Sequence, residues 1–397
     1  MVTGKRQLPR FSGEWKTKRI GEILRVGHGQ SQRAVENPYG RYPIFATGGK
    51  IGQASSFVYD KPSVLIGRKG TIDKPQYVDI PFWTIDTLFY TIIRDGYSEK
   101  FIYYCFCLID WVRYNEASGV PSLNAKTIEN IAIKVPKISE QTAIAEVLSD
   151  ADSLIASLQK LIAKKKAIKQ GAMQELLTGK RRLPGFSGEW KTKKIKEIAH
   201  VCSEKNAAHE KLNVLTCSKH FGFVDSLSYF KNQVFSKDTS GYKVIYKNQI
   251  GYPANHIEEG AIGLQNLYEK ALVSPIYIVF SVTDSVDSFF LHRLLKLDCY
   301  KNIFATETCS SVDRRGSLRW PAFSEVEVSL PDIVEQREVA KVLSDMDTEI
   351  EKLEKKLSEY QKIKQGMMQE LLTGRIRLIN AEPKQEQQVT IAAKKHN

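Results

Sequence analysis

The sequence predicts an α+β protein: two α/β domains separated by two long, antiparallel coiled-coil helices in a pseudo-two-fold circular repeat. Three observations carry this. The connector "KRQLPRFSGEWKTKRIGEI" (residues 5–23) returns as "KRRLPGFSGEWKTKKIKEI" (180–198), identical at 15 of 19 positions. A second duplication has a larger offset, residues 140–183 matching 335–378, with IKQG-x-MQELLTG almost unchanged. Finally, the chain opens partway through the repeat unit and closes where that unit began: TG-KRQLPRFSGEW at the start answers LLTG-KRRLPGFSGEW in the middle.

The elements follow in chain order. Residues 1–137 form the first connector and domain. Its strand-rich run "WTIDTLFYTII" is followed by a helix, "EKFIYYCFCLIDWVRYN", a polar loop, "EASGVPSLNA", and a closing strand with proline, "IENIAIKVP". Residues 138–180 are the first long helix. Ile144, Leu148, Ala151, Ile155, Leu158 and Ile162 alternate at four and three, a heptad seam that no proline interrupts. Residues 181–332 repeat the domain plan with "KALVSPIYIVFSV", "SFFLHRLLKLDCYKNIF", "TETCSSVDRRGSLRW" and "SEVEVSLP". Residues 333–378 are the second long helix, with its seam at Val339, Leu343, Met346, Ile350, Leu353 and Leu357. Each helix is about 35–40 residues, roughly 55–60 Å at 1.5 Å per residue. Gly179 and Gly374 are the expected stops. The tail, 379–397, is expected to be disordered.

Composition excludes several classes. A chain of 397 residues with 42% hydrophobic content and a mean hydropathy of −0.31 reads as soluble and globular. No apolar run is long enough to cross a bilayer, and "MVTGKRQLPR" lacks the apolar core of a signal peptide. Six cysteines without a CxxC pair read as reduced thiols in the cytoplasm, with Cys105 and Cys107 as core packing. The net charge of +13 points to an acidic partner, most simply nucleic acid. That excess is uneven: residues 1–19 and 138–194 carry +5 each, whereas the two domain segments, 20–137 and 195–332, sum to only +2.

Catalytic signatures are missing. "ATGGKIG" and "GRKGTID" fail the spacing of a phosphate loop, no HExxH occurs, and the seven histidines are scattered. Asn37-Pro38-Tyr39 is a fragment of an amino-methyltransferase motif that lacks its second proline. The expectation is therefore no catalytic residues and no metal ligands.

The arrangement resembles the specificity subunits of type I restriction-modification systems. The residues that carry the resemblance are Pro136…Glu140-Gln141 and Pro331…Glu335-Gln336 at the helix starts, the two QELLTG-x-x-x-L segments and the two FSGEW segments. It spans nearly the whole chain up to about residue 380. It implies that each domain is a target-recognition domain reading one half of an asymmetric, gapped site in double-stranded DNA. It also implies a non-catalytic chain that docks two methyltransferase subunits and, in the full complex, two motor-nuclease restriction subunits. S-adenosylmethionine would belong to the methyltransferase, ATP and Mg to the restriction subunit, and no cofactor to this chain. The alternative is an enzyme, a stand-alone methyltransferase or nuclease with an unrecognised site; a coiled-coil scaffold without DNA contact is a third reading.

Loops that combine glycine, cations and small hydrogen-bonders are the candidate DNA contacts. In the first domain these are Gly49, Lys50, Arg68, Lys69, Thr71, Ser118, Ser122 and Asn124. In the second they are Ser218, Lys219, Lys243, Tyr252, Asn255, Ser310, Ser311, Arg314 and Arg315. Trp15 and Trp190, in identical settings, must do a job common to both halves: docking the connector on the helix pair, or contact with a methyltransferase. Gln174, Leu177, Gln369 and Leu372, in the repeated QELLTG segments, are partner-binding candidates for the same reason.

Overall fold

The structure, a computed structural model, describes residues 11–309 and 317–378. The tail 379–397 lies outside the described residues. The chain divides into two compact units, Met1–Gln159 with Lys356–Asn397, and Lys160–Lys355. The long helices are thus not modules of their own, as the sequence division suggested, because each unit takes half of each helix.

In the first unit β1 (Lys16–Arg19) and α1 (Ile20–Ile23) lead into β2 (Leu24–His28), β3 (Tyr42–Ala46), β4 (Gly49–Ala54), β5 (Ser63–Gly67), β6 (Gln76–Val78), β7 (Trp83–Thr84) and β8 (Leu88–Ile93). Helices α2 (Glu99–Leu108) and α3 (Ala125–Asn130), strand β9 (Ala132–Val135) and the first half of the long α4 (Ile138–Leu176) follow. The second unit contains β10 (Lys191–Lys194), α5 (Ile195–Ile198), β11 (Ala199–Cys202), β12 (Leu215–Ser218), β13 (Gly222–Asp225) and α6 (Ser226–Phe230). It continues through β14 (Lys243–Tyr246), β15 (Ile250–Pro253), β16 (Gly263–Leu264), β17 (Lys270–Val273) and β18 (Tyr277–Val282). It ends with α7 (Ser288–Leu295), α8 (Asp298–Cys309), α9 (Trp320–Phe323), β19 (Glu327–Leu330) and the first part of the long α10 (Ile333–Leu371).

The two units share a frame. A four-stranded sheet is ordered β2-β8-β5-β6 in the first and β11-β18-β15-β16 in the second. A two-stranded ribbon lies beside it, Lys16 opposite Val135 in one unit and Lys191 opposite Leu330 in the other. The ribbon explains the two repeat offsets, because it pairs a strand of the first duplication with a strand that leads into the second. Each predicted domain helix breaks. One stops at Leu108, and a separate 3₁₀ turn, Trp111–Tyr114, follows; the other divides into α7 and α8. Cys105 is buried as expected, but Cys107 is exposed, and the five cysteines with described side chains are free thiols.

The buried Glu-Gln pairs at the helix starts organise each unit. Gln141 Oε1 accepts from the N–H of Ser98, the N-cap of α2, and its Nε2 donates to the Pro136 carbonyl. Gln336 repeats both bonds with Asp287, the N-cap of α7, and with Pro331. One amide therefore fixes where the long helix starts and where the domain helix points, and its burial raises the cost of losing either bond. The seam residues face inward in part. Ile144, Leu148, Leu158 and Ile162 of α4 and Val339, Leu343 and Ile350 of α10 are buried, while the other predicted seam positions are half-buried. Across the seam, Lys364 reaches Asp152 in the first unit, and Lys169 pairs with Asp347 in the second.

The repeated connector closes a clasp in each unit. In the first, the Trp15 ring lies against Gly374, where an added Cβ would stand 3.2 Å from the indole. Arg377 lies over the same ring, 5.8 Å from its centroid, and grips the buried Glu140 with both arms of its guanidinium. Its Nη1 also donates to the Gly13 carbonyl, and the Phe11 N–H donates to Leu378, so the first described residues meet the last. The second unit repeats this with Trp190, Gly179, Arg182, Glu335 and the Gly188 carbonyl. Gly179 and Gly374 have φ of +71° and +72°, a left-handed backbone that a side chain occupies at a cost of about 1–2 kcal/mol. Gly179→Ala should therefore lower the stability by at least that much, read as a lower denaturation midpoint. Gly188→Ala, with open space around it, should leave the midpoint almost unchanged. Equal effects at both positions would refute a steric role for Gly179.

Candidate nucleic-acid interface

In the first unit three predicted loops come together around the end of β5. Arg68 and Lys69 donate from their backbones to the Thr87 carbonyl, and Arg68 Nη1 reaches the Asp86 carbonyl at 3.3 Å. The 115–123 loop docks on them: Leu123 N–H donates to Arg68 O at 2.9 Å, and Gly70 N–H donates to Pro121 O at 2.8 Å. Asn115 Oδ1 holds that loop's own turn through the N–H groups of Ala117 and Ser122. The third loop, the β3–β4 hairpin with Gly49 at φ +112°, is tethered by Gln76 Nε2 to the Ala46 carbonyl. Gly67 must be glycine, since a Cβ there would stand 2.0 Å from the Thr71 carbonyl oxygen.

The surface so formed exposes Lys50, Lys69, Ser118 and Asn124, with Gly49, Arg68, Thr71 and Ser122 half-buried behind them. Neither lysine has an ion-pair partner among the described residues. Asn124 has spent its side-chain oxygen as the N-cap of α3, accepting from Lys126 N–H. The arrangement places unpaired cations and small polar groups on a rigid backbone, which suits phosphate and base-edge contacts.

The second unit builds the same junction from different residues. Leu318 N–H donates to the Ala254 carbonyl at 2.8 Å, at the position where Leu123 meets Arg68. Asn255 follows, half-buried. Lys219 is exposed at the β12–β13 turn, where Ser218 Oγ accepts from the N–H groups of His220 and Phe221. Lys219's carbonyl is bonded by Lys296 Nζ.

Two frames of one construction, with unlike loops at the same junction, match a known family. The pattern of the type I restriction modification DNA specificity domain fits residues 12–168 and again 187–362. The chain belongs to that family. It is 24% identical to the type I restriction enzyme MjaVIII specificity subunit of Methanocaldococcus jannaschii, over 94% of this chain and 95% of that one. It is 21% identical to the EcoDI specificity subunit of Escherichia coli, over 87% and 84%. Its fold is similar to the crystal structure of the type I restriction-modification system S subunit from M. genitalium, with a TM-score of 0.60 at 15% identity, over 94% and 98% of the two chains. Like those relatives, it is a type I specificity subunit.

Several predicted site residues of this specificity subunit are not surface groups. Tyr252 is wholly buried beside Phe323 in the core of the second unit, so it cannot meet DNA. Its setting in the sequence reads as a loop, but it lies in β15, an inner strand equivalent to β5. Lys243 is half-buried, with Nζ bonded to the Tyr277 carbonyl at 2.5 Å; burial foremost, with Lys205 nearby, pushes its pKa down. Leu177 and Leu372 are buried in the cores of their units and hold the helix ends, leaving nothing for a partner to touch. Gln174 and Gln369 are exposed. Trp15 and Trp190 dock the connectors on the helix ends, the first of the two jobs expected of them. Ser310, Ser311, Arg314 and Arg315 lie outside the described residues.

Sequence reasoning missed the clasp pairs Glu140–Arg377 and Glu335–Arg182. The signal was present: both members are identical in the 195-residue repeat, and an identical Glu and Arg in a repeated motif are candidates for an ion pair. Among the described residues, no helix is long and apolar enough to cross a membrane.

Proposed function

We propose that each unit reads one half of an asymmetric bipartite site in double-stranded DNA, and that the chain has no catalytic activity of its own. The observation that carries this is the shared junction. Leu123 on Arg68 and Leu318 on Ala254 anchor loops of unrelated sequence at one place on one frame. A frame that keeps its hydrogen bonds while its loops diverge is suited to reading two different base sequences.

What the units keep in common should face a partner that binds twice. Around each clasp the exposed groups match: Gln174, Glu175, Thr178 and Lys180 in one, Gln369, Thr373 and Arg375 in the other, with Glu370 half-buried. Two methyltransferase subunits, one per clasp, fit this duplicate surface, and two restriction subunits would join through them. S-adenosylmethionine would then be bound by the methyltransferase, ATP and Mg by the restriction subunit, and the assembly would work in the cytoplasm.

The purified chain, incubated with DNA and labelled S-adenosylmethionine, should transfer no methyl group. Adding the methyltransferase subunits should yield methylation at one bipartite site, mapped by single-molecule sequencing. Methylation by this chain alone would establish the enzyme reading instead. Methylation at a single uninterrupted site would remove the division of labour between the units.

A further inference from the structure

The most exposed aromatic residue described lies outside the three loops. Tyr39, 96% exposed, sits in the turn Asn37-Pro38-Tyr39-Gly40 between β2 and β3. Exposed apolar residues scattered singly are ordinary. This one is presented by a turn pinned on every side. Asn37 Oδ1 accepts from Tyr39 N–H at 2.9 Å, and Gly40 N–H closes onto the Asn37 carbonyl at 2.8 Å. Asn37 N–H donates to Gln53 O in β4. Gly40 lies so close to Ala54 that a Cβ would stand 2.4 Å from its carbonyl group, and Pro38 fixes its own φ. The ring is therefore held out in water by an ordered backbone, so little conformational entropy remains to be lost on contact.

Its segment carries a small positive excess, two exposed arginines against the exposed Glu36. Arg33 and Arg41 are exposed on either side in the sequence, and neither has an ion-pair partner among the described residues. The turn also lies at the opposite end of the β3–β4 hairpin from Gly49 and Lys50. A five-residue strand spans about 16 Å, comparable to the roughly 12 Å major groove. One duplex lying along the hairpin would meet both ends. A protein that docks once on each unit needs the same surface twice, as the clasps provide. The NPYG turn belongs to a segment in which the two domains differ, and the half-site is what differs between them.

We propose that Tyr39 is a DNA-contacting residue that stacks at a base step flanking the pairs read by the three loops, with Arg33 and Arg41 on the adjoining phosphates. The inference rests on the first unit being a DNA reader. Apolar and aromatic side chains wedged at a step commonly distort it, which makes the contact visible.

The test uses the full chain assembled with its methyltransferase subunits. The probe is a synthetic duplex carrying the mapped site, with 2-aminopurine placed at successive positions through and beyond the first half-site. Wild-type complex should raise the fluorescence at one flanking position. Tyr39→Ala should abolish that rise and weaken binding at least about tenfold, the scale of a lost aromatic–base stack. Tyr39→Phe should keep both, because the ring and not the hydroxyl makes the contact. Arg68→Ala serves as the control. If it weakens binding while Tyr39→Ala binds like wild type with the signal intact, the Tyr39 proposal is overturned. If neither variant affects binding, DNA reading by this unit itself fails. If Tyr39→Ala instead impairs assembly with the methyltransferase in the absence of DNA, the turn is a protein contact and the proposal is wrong.

Discussion

Arg182→Ala should lower the stability of the second unit, because it strips the partner from a carboxylate that is itself buried. Glu335 is 1% exposed, and both its oxygens are occupied by the Arg182 guanidinium. Removing the arginine leaves the Glu335 carboxylate without its partner and also deprives the Trp190 ring of its cation and the Gly188 carbonyl of its donor. The effect should be read as a lower midpoint in chemical denaturation with an unchanged slope. A double variant, Arg182→Met with Glu335→Met, should recover most of the loss, because two apolar groups of similar size leave no orphaned charge. Arg377→Ala should do the same to the first unit through Glu140. An unchanged midpoint would mean that the carboxylate finds other solvation and that the clasp does not hold the unit.

A fragment of residues 1–183 should form a homodimer and, with methyltransferase subunits, should redirect methylation to an interrupted palindrome made of the first half-site and its inverted copy. The first unit needs the last part of the chain: Leu371 and Leu372 complete its core, Lys364 meets Asp152, and Arg377 meets Glu140. The fragment lacks all four, but a second copy supplies their counterparts 195 positions earlier: Leu176, Leu177, Lys169 and Arg182. Gly179 and Leu183 likewise replace Gly374 and Leu378. The exchange must be antiparallel, since only that direction places Lys169 of one copy at Asp152 of the other. Light scattering gives the mass and methylation mapping gives the target. A monomer, or methylation at the parental asymmetric site, would show that the halves are not interchangeable.

The clasp shows how far the sequence reaches. Two offsets of repetition, 175 and 195 residues, define the plan of two like domains and two long helices. The reason is that duplicated chains keep whatever packing their copies share. The helix starts were legible for the same reason, since periodicity and caps are local properties, but the helices end at Leu176 and Leu371, short of the expected 180 and 378. The three loops of the first unit were legible as loops, because glycines with cations and small polar residues have few other uses.

What the sequence could not decide was which side chains face solvent. Tyr252 and Lys243 read as polar residues near loops, yet the sheet order puts β15 at the centre of its sheet and turns Tyr252 into the core. Leu177 and Leu372 stand in a motif whose repetition suggested a partner, but the partner is the chain itself. Burial depends on residues far apart in the chain: Leu371 shares a core with Ile144, and Arg377 pairs with Glu140 across 237 positions. Local pattern has no access to such contacts. The sequence by itself determined that the protein is two copies of one unit with two different sets of loops. Only the tertiary structure decided that each copy is completed by the far end of the other's helix, because an apolar helix face and a buried carboxylate are stabilised by whatever part of the chain folding brings to them.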